Sequence, residues 1–83
     1  MAKVVMYYSQ ECPFCRNAEK LLLSKGANID KISIDDNDNI LQEMKDLSGR
    51  DTVPQIFIDD KHIGGFDDLS ELDMDDELEP LLK

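Results

Sequence analysis

The chain is poor in the nitrogen and sulfur side chains that bind zinc, with one histidine and two cysteines among its 83 residues, and it has no tryptophan. Two thiols and one imidazole cannot complete the four-ligand shell of a structural zinc site within one chain, so no metal is expected. His62 falls on an expected strand, and a redox thiolate stabilised by a helix needs no histidine base, so it is read as an ordinary, partly exposed side chain. Long apolar runs are also missing. The longest, Val4 to Tyr8, is far below the ~18 residues of a membrane span. It also falls short of the about 7 to 15 apolar residues of a signal peptide, so no leader is read and the cytoplasm is the expected compartment.

Basic residues are scarce as well. Nine Lys and Arg against nineteen Asp and Glu leave a formal charge of −10, which repels phosphate backbones and anionic lipid surfaces and argues against nucleic acid and membranes as partners. The charge is uneven: residues 1–34 sum to +2 and residues 35–83 to −12. A solvated, solubilising surface is the simpler reading of the acidic half, and selection of a basic protein partner is the alternative.

What is present suits one small globular domain. A composition of 41% hydrophobic and 34% charged residues is too apolar for a disordered chain and too mixed for a membrane protein. Area scaling gives a folded surface of roughly 5,000 Å², with about 60% of the chain's surface hidden. One domain spanning residues 1–83 is expected.

Residues Lys3 to Tyr8 read as a strand covered on both faces. A helix is expected from Cys12 or Pro13, because proline suits a first turn, and its end near Lys25 is marked by Gly26. Ile29, Ile32 and Ile34 mark a second strand. Asp38 or Asn39 is expected to cap a second helix carrying Ile40, Leu41, Met44 and Leu47 at helical spacing, with Gly49 as its stop. Thr52 to Ile58 reads as a strand with proline near its start, Asp59-Asp60-Lys61 as a turn, and His62 to Gly64 as the returning strand. Phe66, Leu69, Leu72 and Met74, then Leu78, Leu81 and Leu82, mark two short helices, split at Pro80, which opens the last turn. This order predicts an α/β layer fold with a four-stranded mixed sheet: the first two strands parallel, the late hairpin antiparallel.

The two cysteines, Cys12 and Cys15, form a Cys-x-x-Cys pair beside a strand-helix-strand unit, a recognised redox signal. A pair of buried structural thiols is the competing reading, and the electropositive helix start disfavours it. Cys12, ahead of the first turn, is the expected nucleophile, since unpaired N–H groups and the helix dipole favour its thiolate. Cys15, three residues on and on the same face, is expected to resolve a mixed disulfide at Cys12. Tyr7, Tyr8 and Phe57 are read as packing residues; Phe14, between the cysteines, is the exception. An isolated Val53-Pro54 bond reads as trans on frequency.

Cys12-Pro13-Phe14-Cys15, Thr52-Val53-Pro54 and Gly64-Gly65-Phe66-Asp67-Asp68, in this order and at these separations, resemble the glutaredoxin family, specifically its small bacterial dithiol members. The resemblance covers nearly the whole chain. It implies a thioredoxin-like fold, a cis Val53-Pro54 bond facing the dithiol, and glutathione as the reducing co-substrate. It places Pro13, Phe14, Thr52, Val53, Pro54, Gly65, Phe66, Asp67 and Asp68 around glutathione. The Val53 backbone would pair with its peptide part, and Asp67 and Asp68 would hold its γ-glutamyl end, beside a helix N-terminus able to take a carboxylate. The implied reaction is thiol–disulfide exchange on disulfide-containing or glutathionylated proteins, ribonucleotide reductase among them, by a monomer. One position departs from the pattern: Ser9 stands where many relatives carry lysine. Weaker glutathione binding is expected from it, with Arg50 and Arg16 as the substitute cations. Two alternatives stand beside this reading. A redoxin fed by a flavoprotein reductase is opposed by the Gly-Gly-Phe-Asp-Asp segment, and a cluster-bridged dimer held by Cys12 and two glutathiones is opposed by Pro13 and Cys15.

Overall fold

The computed structural model describes residues 2–83. Strand β1 (Val4–Tyr8) leads into helix α1 (Pro13–Ser24), followed by β2 (Ile29–Ser33), α2 (Asp38–Ser48), β3 (Gln55–Ile58), β4 (Lys61–Gly64), α3 (Phe66–Met74) and α4 (Leu78–Leu82). The sheet order is β2-β1-β3-β4. β1 and β2 run parallel, while β3 is antiparallel to both β1 and β4. This is the expected mixed sheet.

Each face of the sheet is covered. Val4, Met6, Ile56 and Ile58 pack with Ala18 and Leu22 of α1, Leu69 of α3 and Leu78 of α4, and Tyr7 and Phe57 pack with Met44 of α2 on a second cluster. Alternate residues of β1 therefore enter different cores, which explains its unbroken apolar sequence. Ala18 and Leu22 are fully buried because their four-residue spacing brings them to one face of α1; burying a side chain such as Leu22 contributes ~1.5 to 3 kcal/mol. The folded surface is 5209 Å². Among the described residues no helix is long and apolar enough to cross a membrane.

The first strand begins one residue late, at Val4, and the second ends at Ser33, before Ile34; four other boundaries differ from those expected, each for a local reason. Helix α2 is capped by Asn37, not Asp38 or Asn39: the Asn37 backbone is extended, and its side-chain oxygen accepts from the Asn39 and Ile40 N–H groups at 3.1 and 3.2 Å. Gly49 ends that helix at φ +72°, a left-handed conformation glycine adopts without a Cβ penalty. Strand β3 starts at Gln55 rather than Thr52, because Pro54 has no N–H to give the ladder. The hairpin turn is only Asp59-Asp60, both residues at positive φ (50° and 67°), and Lys61 already pairs with Ile58; such two-residue turns match the strand twist. The last two helices part at residues 75–77 rather than at Pro80. Asp76 has φ 59°, and Pro80 is the third residue of α4, where its missing N–H removes only a donor that the first turn would leave unpaired.

This topology gathers the sequence motifs at one end of the sheet. Cys12 follows the C-terminal end of β1. Because β3 is antiparallel to β1, with Gln55 opposite Tyr7, the Thr52-Val53-Pro54 segment arrives at that same end. Because β4 is antiparallel to β3, with Gly64 opposite Ile56, the start of α3 returns there too.

Candidate active site

Cys12 is the N-cap of α1, in extended conformation, with Pro13 as the first helical residue. Its sulfur accepts the Cys15 N–H at 3.3 Å, one of the donors that the start of a helix leaves without an intrahelical partner. The Cys12 thiol donates to the Val53 carbonyl oxygen at 3.6 Å. Both cysteines are free thiols, Cys12 half-buried and Cys15 buried. Burial, and then the Cys12 sulfur beside it, push the Cys15 thiol up to about 12. The two sulfurs are thus unequal: one is presented at the helix mouth, and the other is kept as a thiol beneath it.

Val53-Pro54 is a cis peptide, as the resemblance implied and against the frequency expectation. The segment forms one wall of a groove of about 190 Å³, with Thr52, Val53, Pro54 and Gln55 on one side, Gly65, Phe66, Asp67 and Asp68 on the other, and Phe14 and Arg50 completing the lining. Eight of the nine residues assigned to glutathione from sequence therefore share one cavity. Pro13 does not line it and is the residue that opens α1. Phe14 is 58% exposed, and its ring lies 6.5 Å from that of Phe66 at 31°, a tilted pair at the rim of the groove.

The two aspartates are in different states. Asp68 Oδ2 accepts the Gly65 N–H at 3.0 Å and Arg50 Nη1 at 2.9 Å; these bonds, the arginine first, hold its carboxyl below the usual carboxylate range. Asp68 thereby closes the start of α3 as half of a capping box and fixes Arg50 over the groove. Asp67 is exposed and faces the groove with its neighbour.

Sequence reasoning missed Gln55, which is fully buried. Its amide nitrogen donates to the Thr52 carbonyl at 3.0 Å and to the Thr52 hydroxyl at 3.3 Å. Its amide oxygen is then the acceptor at 2.8 Å from His62 Nε2, which assigns the proton to that nitrogen. His62 is half-buried against Phe57, with ring centroids 5.1 Å apart, and burial, then the Arg50 charge, lower its pKa. It braces the groove wall through Gln55. The signal available in sequence was a polar residue placed directly before three apolar strand residues, where a buried amide must find partners.

The substitute cations separate. Arg50 lines the groove, whereas Arg16, Ser9 and Cys15 line a second cavity of about 180 Å³. Ser9 is committed elsewhere, its hydroxyl donating to Asp35 Oδ1 at 2.8 Å.

Comparison with known proteins agrees with this geometry. The family model for glutaredoxin matches residues 4–63. The chain is 52% identical over 83 residues to Glutaredoxin 3 of Escherichia coli (strain K12), with both chains covered in full. Among solved structures it is similar to the buckwheat glutaredoxin–glutathione complex, with TM-score 0.90 and 33% identity over 98% of this chain and 76% of that one. It is also similar to the glutaredoxin of Brucella melitensis, with TM-score 0.88 and 42% identity over 100% of this chain and 90% of that one. A Cys-Pro-Phe-Cys dithiol at a helix mouth, on a mixed sheet of thioredoxin-like fold, thus comes with full-length similarity to one family: the chain belongs to the glutaredoxins and is a glutathione-dependent thiol–disulfide oxidoreductase.

Proposed function

We propose that Cys12 is the nucleophile, that Cys15 is the resolving thiol, and that the groove beside them binds glutathione through Val53, Arg50 and Asp67. The carrying observation is the Cys12 sulfur at the N-cap, bonded to the Cys15 N–H at 3.3 Å and 3.6 Å from the Val53 carbonyl at the groove. A thiolate there gains from the N–H donor and the helix dipole without a cationic side chain.

The Cys12 thiolate attacks a mixed disulfide between a protein thiol and glutathione. The sulfur–sulfur bond breaks, the protein thiol leaves with a proton, and glutathione stays bonded to Cys12. A second glutathione thiolate then attacks the glutathione sulfur of that intermediate, giving glutathione disulfide and regenerating the Cys12 thiolate. For a protein disulfide, the Cys12 thiolate bonds to one protein sulfur and releases the other as a thiol; Cys15 then attacks the Cys12 sulfur, the second protein thiol leaves, and two glutathiones reduce the resulting Cys12–Cys15 disulfide to the dithiol, giving glutathione disulfide. Bound glutathione is held by complementary chemistry. The Val53 carbonyl accepts a peptide N–H, the Arg50 guanidinium faces a carboxylate, and Asp67 faces the γ-glutamyl ammonium. The start of α3, a nine-residue helix, adds dipole attraction for the α-carboxylate. Asp68, already bonded to Gly65 and Arg50, orients that end rather than touching the ligand. Pro13 sets the helix start, while Phe14, Thr52, Pro54, Gly65 and Phe66 shape the walls. Disulfide-containing and glutathionylated proteins, ribonucleotide reductase among them, are the proposed substrates, and the cytoplasm, where thiol pools stay reduced, is the proposed compartment. The dithiol and groove are complete within one chain, which supports action as a monomer.

The test is reduction of a small glutathione mixed disulfide, coupled to glutathione reductase and NADPH. Cys12→Ser should abolish turnover, and Cys15→Ser should retain it while losing reduction of protein disulfides. Turnover in Cys12→Ser would refute the assignment.

A further inference from the structure

The turn that joins β1 to α1 is tied down from outside the dithiol. Asp35, two residues beyond the end of β2, accepts the Ser9 hydroxyl on Oδ1 at 2.8 Å and the Gln10 N–H on Oδ2 at 3.0 Å. Its own N–H donates to Ser33 Oγ at 3.1 Å, so the carboxylate is anchored at its base. The same turn is closed by the Cys12 N–H on the Ser9 carbonyl at 3.2 Å, and Ser9, Gln10 and Cys15 line one cavity together with Arg16, Glu19 and Lys31. Three successive bonds therefore run from the end of β2 to Ser9 and on to Cys12. Asp35 makes its bonds to Ser9 and Gln10 rather than to either sulfur, and its charge acts on Cys15 only through space.

We propose that Asp35 is a positioning residue for the intramolecular half of the cycle, clamping the Ser9–Cys12 turn to the end of β2 so that the Cys12 and Cys15 sulfurs stay within reach of each other. The inference rests on the roles given above to the two cysteines. In the step concerned, Cys15 loses its proton and attacks the Cys12 sulfur of the Cys12–glutathione disulfide. The bond between Cys12 and glutathione breaks, the Cys12–Cys15 disulfide forms, and the departing glutathione thiolate takes up a proton. The Cys15 thiolate supplies the electron pair, the departing glutathione sulfur is reduced, Cys12 stays at the disulfide level, and no other oxidant is required. Such a ring closure depends on the effective concentration of one sulfur at the other, which falls steeply with small misplacements. Attack by free glutathione comes from solvent and does not depend on where the Cys15 sulfur stands.

Asp35 is exposed, so its substitutions leave both cores intact. Asp35→Ala removes both clamping bonds. Asp35→Asn keeps them without the charge, its oxygen accepting the Gln10 N–H and its NH₂ donating to Ser9 Oγ. Each protein is loaded at Cys12 with one glutathione, the site is verified by mass spectrometry, and the release of glutathione on ring closure is followed in stopped flow. Resolution of the same adduct by added glutathione is measured in the Cys15→Ser background. Asp35→Ala is expected to slow closure roughly fivefold, with resolution by external glutathione changed less than about twofold, and Asp35→Asn is expected to restore closure to at least the parent rate. A role in stability alone would lower the melting temperature of Asp35→Ala without this split. Unchanged closure in Asp35→Ala, or equal slowing in Asp35→Asn, overturns the clamp and leaves the cysteine roles standing. Glutathione found on Cys15 instead of Cys12 in the parent protein overturns both.

Discussion

Removing the Asp68 side chain tests how the end of the groove is built. Asp68→Ala loses the bond from the Gly65 N–H at 3.0 Å and the ion pair to Arg50 at 2.9 Å. A helix-start bond of this kind contributes ~1 kcal/mol. The ion pair is half-exposed, with side-chain exposures of 48% and 42%, so solvent screening limits it to ~0.5 kcal/mol. The loss of about 1.5 kcal/mol, divided by an unfolding entropy of ~2.1 cal/mol/K per residue, corresponds to a fall in Tm of about 8 to 9 °C for 83 residues. Arg50→Ala removes only the pair and should lower Tm by about 3 °C. The pH dependence has a definite sign. The bond from Arg50, then that from Gly65, holds the Asp68 carboxyl below its ordinary value of 3.8 in the folded chain, so its electrostatic contribution is complete above that value and is lost as pH falls through the folded one. Thermal unfolding followed by circular dichroism at pH 7, and again near pH 2.5, measures both effects. The gap between parent and Asp68→Ala should narrow in acid. A Tm unchanged at pH 7, or a gap undiminished at the lower pH, refutes the account of Asp68 as a charged bracket.

Two further outcomes follow from burial. Leu22→Ala opens a cavity between α1 and the sheet, where Leu22 is fully buried, and should cost about 3 kcal/mol in urea unfolding; a loss below ~1 kcal/mol would show that the surrounding side chains collapse into the space. Because the buried Cys15 thiol is pushed up to about 12, iodoacetamide at pH 8 should label Cys12 and spare Cys15 in the folded, reduced protein. Peptide mapping that finds equal labelling would contradict the inequality of the two sulfurs.

Element order, strand directions and the redox pair were legible in the sequence because each follows from a local rule: alternation or continuity of apolar residues, proline at a helix start, two thiols three residues apart. The groove was legible only through resemblance. Thr52 and Asp67 stand fifteen positions apart, and their meeting depends on β3 being antiparallel to both its neighbours, which no local pattern encodes. The least legible parts were bonds made by polar side chains over distance. Asn37 took the cap because its own backbone stayed extended, although Asp38 and Asn39 have equally suitable side chains. Gln55, Asp35 and Asp68 gained their roles from partners 3, 25 or 26, and 18 positions away or at a helix start. The split between α3 and α4 was misplaced because proline is an obvious stop signal, whereas Asp76 in the left-handed region gives none.

The sheet order leaves β2 and β4 at its two edges. An edge strand offers unpaired N–H and C=O groups to any other extended chain, a route to aggregation. Here β2 carries exposed Asp30 and Lys31, and β4 opens on exposed Lys61. A strand adding to either edge would have to strip water from those charges. The central pair, β1 and β3, carries almost all of the continuous apolar sequence and is shielded on both flanks, so the segments most able to form intermolecular sheet are the ones the fold never presents. Replacing Asp30 by valine would lower that barrier away from the dithiol, and colloidal stability would suffer before catalysis did.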